Sequence, residues 1–334
     1  MFTVKRLPRD KFEAILKTLV PVLEETLKSE FAIIPFYLDK PDFGDVDIVV
    51  RENLDTVREK IIAKLNLQKG SYVSNDNIFS FAYQDFQIDL ICTTTEYESS
   101  LAYFAYNDLG NILGRILHKM GLKYGSEGLS YPIRNPENNH IVDVLFITDD
   151  TKKIFGFLGY DWLSYEKWQS GFFNLEDLFS WVLDGNYIDV RIFDENELSA
   201  TNRKRNKKRT TFNQFVEWMK TNLPKNGGYM FPHRDFRDEY WIPIIEKHFK
   251  CDIQARIQYA KNRIAKQAEL NKKFNGRIVM EVTGLQGYLL GAFIEQFKQG
   301  AIFLNDSFEQ YVENTDPEQI KEDIKELFSR PVSS

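Results

Sequence analysis

Gly44-Asp45-Val46-Asp47-Ile48-Val49-Val50 is the stretch of this chain on which its fold turns. Residues two apart on a strand share a face, so Asp45 and Asp47 point together while Val46 and Ile48 point into a core. An acidic pair on a strand whose other face is apolar is costly unless a cation fills the gap. A third carboxylate, Asp89, stands in Phe86-Gln87-Ile88-Asp89-Leu90-Ile91, where Phe86, Ile88 and Leu90 supply the buried face. If the two strands are neighbours, three carboxylates converge, as in oxygen-rich sites that hold Mg²⁺ or Mn²⁺ against phosphates. Two such metals about 4 Å apart stabilise the attacking and the leaving oxygen together. Asp-x-Asp is also common in loops; the preceding glycine, the apolar flanks and the second aspartate strand argue for the catalytic reading.

Outward from this stretch, Phe12, Ile15, Leu16, Leu19 and Leu23 mark one face of a helix over Arg9–Leu27, with Pro21 as a possible kink. Phe31 to Leu38 reads as an apolar strand, and Asn53 as the N-cap of a helix reaching Leu67. Two alternating runs, Ile78–Tyr83 and Phe86–Thr93, joined by Gln84-Asp85, predict a β-hairpin. Helices follow at Tyr97–Tyr106 and Leu109–Met120, strands at Leu129–Ile133 and Ile141–Thr148, and a helix at Thr151–Leu158. Beyond that the chain is helix-rich. The expectation is an α+β fold, a mixed β-sheet with helices, followed by a second, mostly helical domain. Residues 1–165 form the first part, 166–210 a basic linker and 211–334 a helical, nucleic-acid-binding part.

The chain has 334 residues, 43% apolar and 28% charged, with a formal net charge of -6. That is a globular composition, and any nucleic-acid contact must come from local basic patches. The strongest is Arg203-Lys204-Arg205-Asn206-Lys207-Lys208-Arg209, a solvated face or a phosphate contact. Trp218, Tyr229, Phe231 and Trp241 downstream offer stacking surfaces. Two cysteines, Cys92 and Cys251, argue against a disulfide framework; His118, His140 and His233 lack metal-ligand spacing, and His248 could pair only with Cys251, half a site. No apolar run of about 18 residues predicts a membrane span, so the expectation is a cytoplasmic protein with no membrane partner.

The Gly-Asp-h-Asp-h strand (h, apolar) at Gly44–Val50 and the h-Asp-h strand at Ile88–Leu90 resemble those of nucleotidyltransferases of the DNA polymerase β superfamily. In the family X polymerases of that group a segment reading roughly Leu-x-Tyr-Phe-Thr-Gly-Ser comes next. Then come a helix with Asn and Arg, a Lys-Gly-Leu-Lys-Leu run and a Gly-Leu strand. This chain offers Leu101-Ala102-Tyr103-Phe104-Ala105-Tyr106-Asn107, Asn111 and Arg115, Gly121-Leu122-Lys123-Tyr124, and Gly128-Leu129. The resemblance spans roughly residues 10–165. It implies that Asp45 and Asp47 bind both metals, and that Asp89 binds the catalytic metal and helps deprotonate a primer 3′-hydroxyl. Tyr103 and Phe104 would lie near the incoming sugar, and Asn111 and Arg115 near the minor-groove side of the base pair. A helix-core pair and a solvated helix face are the plainer readings of Tyr103-Phe104 and of Arg115.

The chain departs from that family where phosphates are held. The family's Gly-Ser cradle falls on Ile34-Pro35, its paired arginines on Tyr37 and Leu38, and only Lys40 keeps a positive charge. Proline has no amide to donate. The Thr-Gly turn becomes Ala105-Tyr106. Farther on, Gly284-Leu285-Gln286-Gly287-Tyr288-Leu289-Leu290-Gly291 is similar to an element of tRNA CCA-adding enzymes, its glycines serving either close helix packing or approach to a phosphate. The chain also resembles nucleotidyltransferases of large bacteriophages. Taken together these features imply a metal-dependent nucleotidyltransferase using a nucleoside triphosphate and a DNA or RNA 3′ end, tRNA included. The alternatives are a catalytically degenerate palm that binds nucleic acid, or transfer to a protein or small molecule.

Overall fold

A computed structural model describes residues 5–194, 200–207, 209–223, 228–300 and 307–330. The protein is α+β: a mixed sheet with helices, then a run of helices. It divides into two compact units, Met1–Pro132 with Val144–Ile253, and Ile133–Asp143 with Gln254–Ser334.

The first unit opens with strand β1 (Leu7–Pro8) and helix α1 (Arg9–Leu27), followed by β2 (Phe31–Ile33), β3 (Asp42–Phe43) and β4 (Asp45–Val50). Helix α2 (Leu54–Leu65) is capped by Asn53, whose side chain accepts from the Thr56 amide at 2.9 Å. Strands β5 (Tyr72–Asn75), β6 (Ile78–Tyr83) and β7 (Phe86–Cys92) complete a five-stranded sheet of order β2-β4-β7-β6-β5. The β6–β7 hairpin turns on Gln84 and Asp85, both with positive φ (50° and 62°), as a two-residue turn matched to strand twist requires. Val46, Ile48, Val50, Ile88 and Leu90 pack with Phe12, Leu19 and Leu23 of α1 and Val57 and Ile61 of α2. Phe12 stacks on Phe43 with ring centroids 3.7 Å apart, which ties α1 to the residue just before Gly44.

Helices α3 (Tyr97–Phe104) and α4 (Leu109–Lys119) come next, then β8 (Lys123–Gly125), β9 (Gly128–Arg134) and β10 (Ile141–Thr148), a sheet of order β10-β9-β8. Gly110 is required where α4 meets α3, because a Cβ there would sit 2.1 Å from the Tyr103 carbonyl oxygen. The unit continues with α5 (Thr151–Leu158), α6 (Trp162–Ser170), α7 (Leu175–Leu183), α8 (Ala200–Asn206), α9 (Thr210–Asn222) and α10 (Arg237–Phe249).

Helices α7 and α9 pack together in the first unit, with Phe179 against Phe215 at 5.4 Å, and the chain leaves that unit at Ile253. One expectation changes here. The strand expected to reach Leu38 stops at Ile33: Leu38 and Asp39 instead donate their amides to the Phe172 and Phe173 carbonyls, at 2.9 and 2.8 Å.

In the second unit α11 (Ile253–Lys273), α12 (Gly276–Thr283), α13 (Gly287–Gln299), α14 (Phe308–Asn314) and α15 (Pro317–Ser329) enclose Phe274, Val279, Phe297, Val312, Ile320 and Ile324. Gly284 (φ 75°) ends α12 and Gly287 (φ 56°) opens α13. A Cβ at Gly284, Gly287 or Gly291 would meet nothing within 4 Å, so close helix packing is not why they are glycine. At Gly284 and Gly287 the left-handed backbone is the reason.

Candidate active site

Strands β4 and β7 run parallel, with Asp45 opposite Gln87 and Asp47 opposite Asp89. The antiparallel β6 adds Ser80 opposite Asp89. Pleating therefore puts Asp45, Asp47, Asp89, Gln87 and Ser80 on one face of the sheet. On that face, but farther along both strands, Val49 and Ile91 are covered by Tyr97, Leu101 and Phe104 of α3. Asp45 is exposed and Asp47 and Asp89 are half-buried, so the carboxylates lie where α3 stops covering the sheet.

The electrostatics match that placement. Burial, then the charges of Asp45 and Asp89, push the Asp47 carboxyl up to about 7, opposed by Lys40. Burial also raises Asp89, against hydrogen bonds from Ser80 and Gln87 that favour its ionised form. Gln87 Nε2 lies 3.1 and 2.9 Å from the two carboxylate oxygens of Asp89. As the side chains stand, no group of three or more His, Cys, Asp and Glu among the described residues is disposed to hold a metal ion. The donor chemistry fits Mg²⁺ or Mn²⁺, being all hard carboxylate oxygen.

Lys40 is the cation closest in effect. Burial lowers its ammonium, and Asp45 and Asp47 oppose that shift. Its Nζ donates to Asn107 Oδ1 at 3.3 Å and sits 4.7 Å from the centroid of the Phe43 ring. Gly44 sits at this corner too, beside the Arg6 guanidinium, a flexible neighbour that does not itself demand glycine.

The expected sugar and base-pair residues are placed as follows. Tyr103 packs edge-on against Phe104 and Tyr124, with centroids 5.1 and 5.3 Å away, and its phenol senses Arg209 and Asp108. Phe104 helps cover the strand ends. Asn111 donates to Asp108 at 3.4 Å. Arg115 spends its Nε on the Ile192 carbonyl, 2.8 Å away, in a single-turn helix at Val190–Phe193.

Sequence reasoning missed the turn after α3. Tyr106 and Asn107 both take positive φ, 56° and 63°, a costly conformation for a tyrosine. The Tyr106 amide donates to the Pro35 carbonyl at 2.7 Å, its hydroxyl to the Trp168 carbonyl at 2.8 Å, and its ring meets Phe172 edge-on. Held this way, the turn presents Asn107 to Lys40 and, through Nδ2, to Thr211 Oγ1 at 3.1 Å. Asp108 accepts from the Phe212 amide at 3.2 Å and lies 4.0 Å from Arg209. The signal was the lost Thr-Gly; what held a turn without glycine was not visible in the chain.

Of the basic run, Arg203, Lys204 and Lys207 are exposed and Arg209 is half-buried. Lys208 and the Arg205 side chain lie outside the described residues. Trp241 is buried in the core and offers no stacking surface; Tyr229 and Phe231 pack around it, and Trp218 rests on Phe179. Both cysteines are free thiols. No helix among the described residues is long and apolar enough to cross a membrane.

No family model and no curated protein matches the chain. Among solved structures it is similar to polymerase beta of Leishmania infantum, determined as a ternary P/T complex. That similarity has 14% sequence identity and a TM-score of 0.35, and covers 47% of this chain and 74% of that chain.

Proposed function

We propose that the chain is a metal-dependent nucleotidyltransferase that adds nucleotides from a nucleoside triphosphate to a nucleic-acid 3′ end. The observation that carries this reading is the parallel register that sets Asp47 beside Asp89, with Asp45 two residues away on the same face. Such a row, partly buried and mutually repulsive, is expensive to keep without a cation to complement it. Mg²⁺ or Mn²⁺ held by Asp45, Asp47 and Asp89 would supply charge neutralisation for a transferring phosphoryl group. Asp89, made more basic by burial, is suited to accept the proton of an attacking hydroxyl. Its bonds to Gln87 and Ser80 hold the carboxylate on the strand until it is needed. Lys40 offsets carboxylate charge in the metal-free protein and would supply positive charge to the anionic groups of a triphosphate.

The test is nucleotide transfer to DNA, RNA and tRNA ends with labelled nucleoside triphosphates and either metal. Asp45→Asn should lower transfer by about 10³-fold or more, the scale of lost preorganised electrostatic stabilisation, with nucleic-acid affinity unchanged. Absence of transfer by the wild type with both metals overturns the enzyme reading. A second reading, a catalytically degenerate palm that binds nucleic acid, draws on two observations. Among the described residues no carboxylate triad stands ready for a metal, and the Lys40 ammonium already neutralises part of the charge.

A further inference from the structure

The loop that should cradle phosphates has no free backbone at its usual position. The Ile34 amide donates to the Asp47 carbonyl at 3.0 Å, and Pro35 has no amide at all. Farther along, the amides of Leu38, Asp39 and Lys40 go to the carbonyls of Phe172, Phe173 and Tyr37. At these five positions the backbone has no amide to offer a phosphate, and the side chains of this corner are its donors.

The neighbouring guanidinium groups are mostly committed. Arg6 is paired with Asp42, and Arg9 is bonded to the Leu38 and Lys40 carbonyls at 2.6 and 3.2 Å. Among the described residues of this corner, two cations are loosely held. One is Lys40, whose hydrogen bond to Asn107 is long at 3.3 Å. The other is Arg209, half-buried, 4.0 Å from Asp108 and close enough to Tyr103 to act on its phenol. Asn107 joins them: its Oδ1 takes Lys40 and its Nδ2 takes Thr211, two residues beyond Arg209. The strain at Tyr106 and Asn107 is thus spent on bringing the start of α9 up to the Lys40 side of the carboxylates.

We infer that Lys40 and Arg209, held in register by Asn107, form the triphosphate-binding wall of the carboxylate site, in place of a backbone cradle. This rests on the nucleotidyltransferase reading and assigns its phosphate-binding groups to two segments 169 positions apart, one of them outside the region that resembles polymerases. Lys40 acts as a point charge, Arg209 as a planar donor suited to two phosphate oxygens, and Asn107 as the positioning residue.

The experiment is calorimetric titration of the full chain, in Mg²⁺, with inorganic tripolyphosphate, ATP, adenosine and a single-stranded oligonucleotide. Lys40→Gln and Arg209→Gln should each weaken tripolyphosphate and ATP about 10- to 100-fold, the loss of one charge-assisted contact. Oligonucleotide binding should stay unchanged. Arg209→Lys, which keeps the charge but loses the two-pronged donor, should recover only part of the affinity, and Lys207→Gln, on the same basic run, should bind tripolyphosphate and ATP like the wild type. Melting curves of the glutamine variants guard against a folding defect, and Arg209→Lys, which keeps the charge, separates lost contact from lost fold. Wild-type affinity for ATP in Arg209→Gln overturns the inference and leaves the nucleotidyltransferase reading intact. Loss of oligonucleotide binding alone in that variant assigns Arg209 to nucleic acid and also overturns it. A wild type that binds neither ATP nor tripolyphosphate removes both readings.

Discussion

Replacing Asp47 by Asn should stabilise the metal-free protein, and by an amount that depends on pH. In the folded chain the Asp47 carboxyl is pushed up to about 7 by burial and by Asp45 and Asp89, against 3.8 when unfolded. Its proton is therefore held more tightly by the folded state. Below about pH 4 the group is protonated in both states and contributes nothing to the difference. Between pH 4 and 7 folding takes up a proton, so stability falls as pH rises, and above 7 the full cost of an ionised, partly buried carboxylate is present. At about 1.4 kcal/mol per tenfold in proton affinity, a rise from 3.8 to about 7 costs about 4.5 kcal/mol, less whatever the site recovers by admitting water. Asparagine cannot ionise, so the advantage of Asp47→Asn over wild type should grow from near zero below pH 4 to about 2–4 kcal/mol at pH 8. For a domain of this size that is a rise in Tm of roughly 4–16 °C. The assay is a set of thermal or urea melts of both proteins, in chelator, at half-unit intervals from pH 5 to 8. Adding Mg²⁺ at pH 8 should then narrow the gap by stabilising the wild type. An advantage of equal size at pH 5 and pH 8 would refute the reasoning, because it would have nothing to do with ionisation.

Two further outcomes bear on the fold and on nucleic acid. Gly110→Ala should cost about 1–3 kcal/mol by urea melts, since its Cβ would meet the Tyr103 carbonyl oxygen at 2.1 Å and push α4 off α3; a loss under about 0.3 kcal/mol would show that contact to be easily relieved. Neutralising the exposed Arg203, Lys204 and Lys207 should flatten the dependence of log K on log salt by about 0.7 for each lost phosphate contact with a single strand. An unchanged slope by fluorescence anisotropy would make that run a solvated face.

How much of this was legible in the chain depends on the range of the interaction. Alternation and period belong to neighbours in sequence, so the strand Asp45–Val50, the hairpin Ile78–Tyr83 with Phe86–Cys92, and the helix Arg9–Leu27 could be read directly, as could the placing of Asp45, Asp47 and Asp89 on polar faces. The α+β class follows from those elements. Pairing does not: that β4 lies beside β7, with Asp47 opposite Asp89, is settled by which apolar faces close over α1 and α2. Nor do α7 and α9 carry any mark of the partner they pack on. Arg115 reads as a free helical arginine until the Ile192 carbonyl, 77 positions on, arrives beside it. The turn at Tyr106-Asn107 is the clearest case. Local preference argues against two successive left-handed non-glycine residues, and only contacts with Pro35, Trp168 and Phe172, from two distant segments, hold them there. Local pattern determined which residues are candidates for the site; tertiary packing decided which of them meet, because those energies come from groups that the chain order keeps far apart.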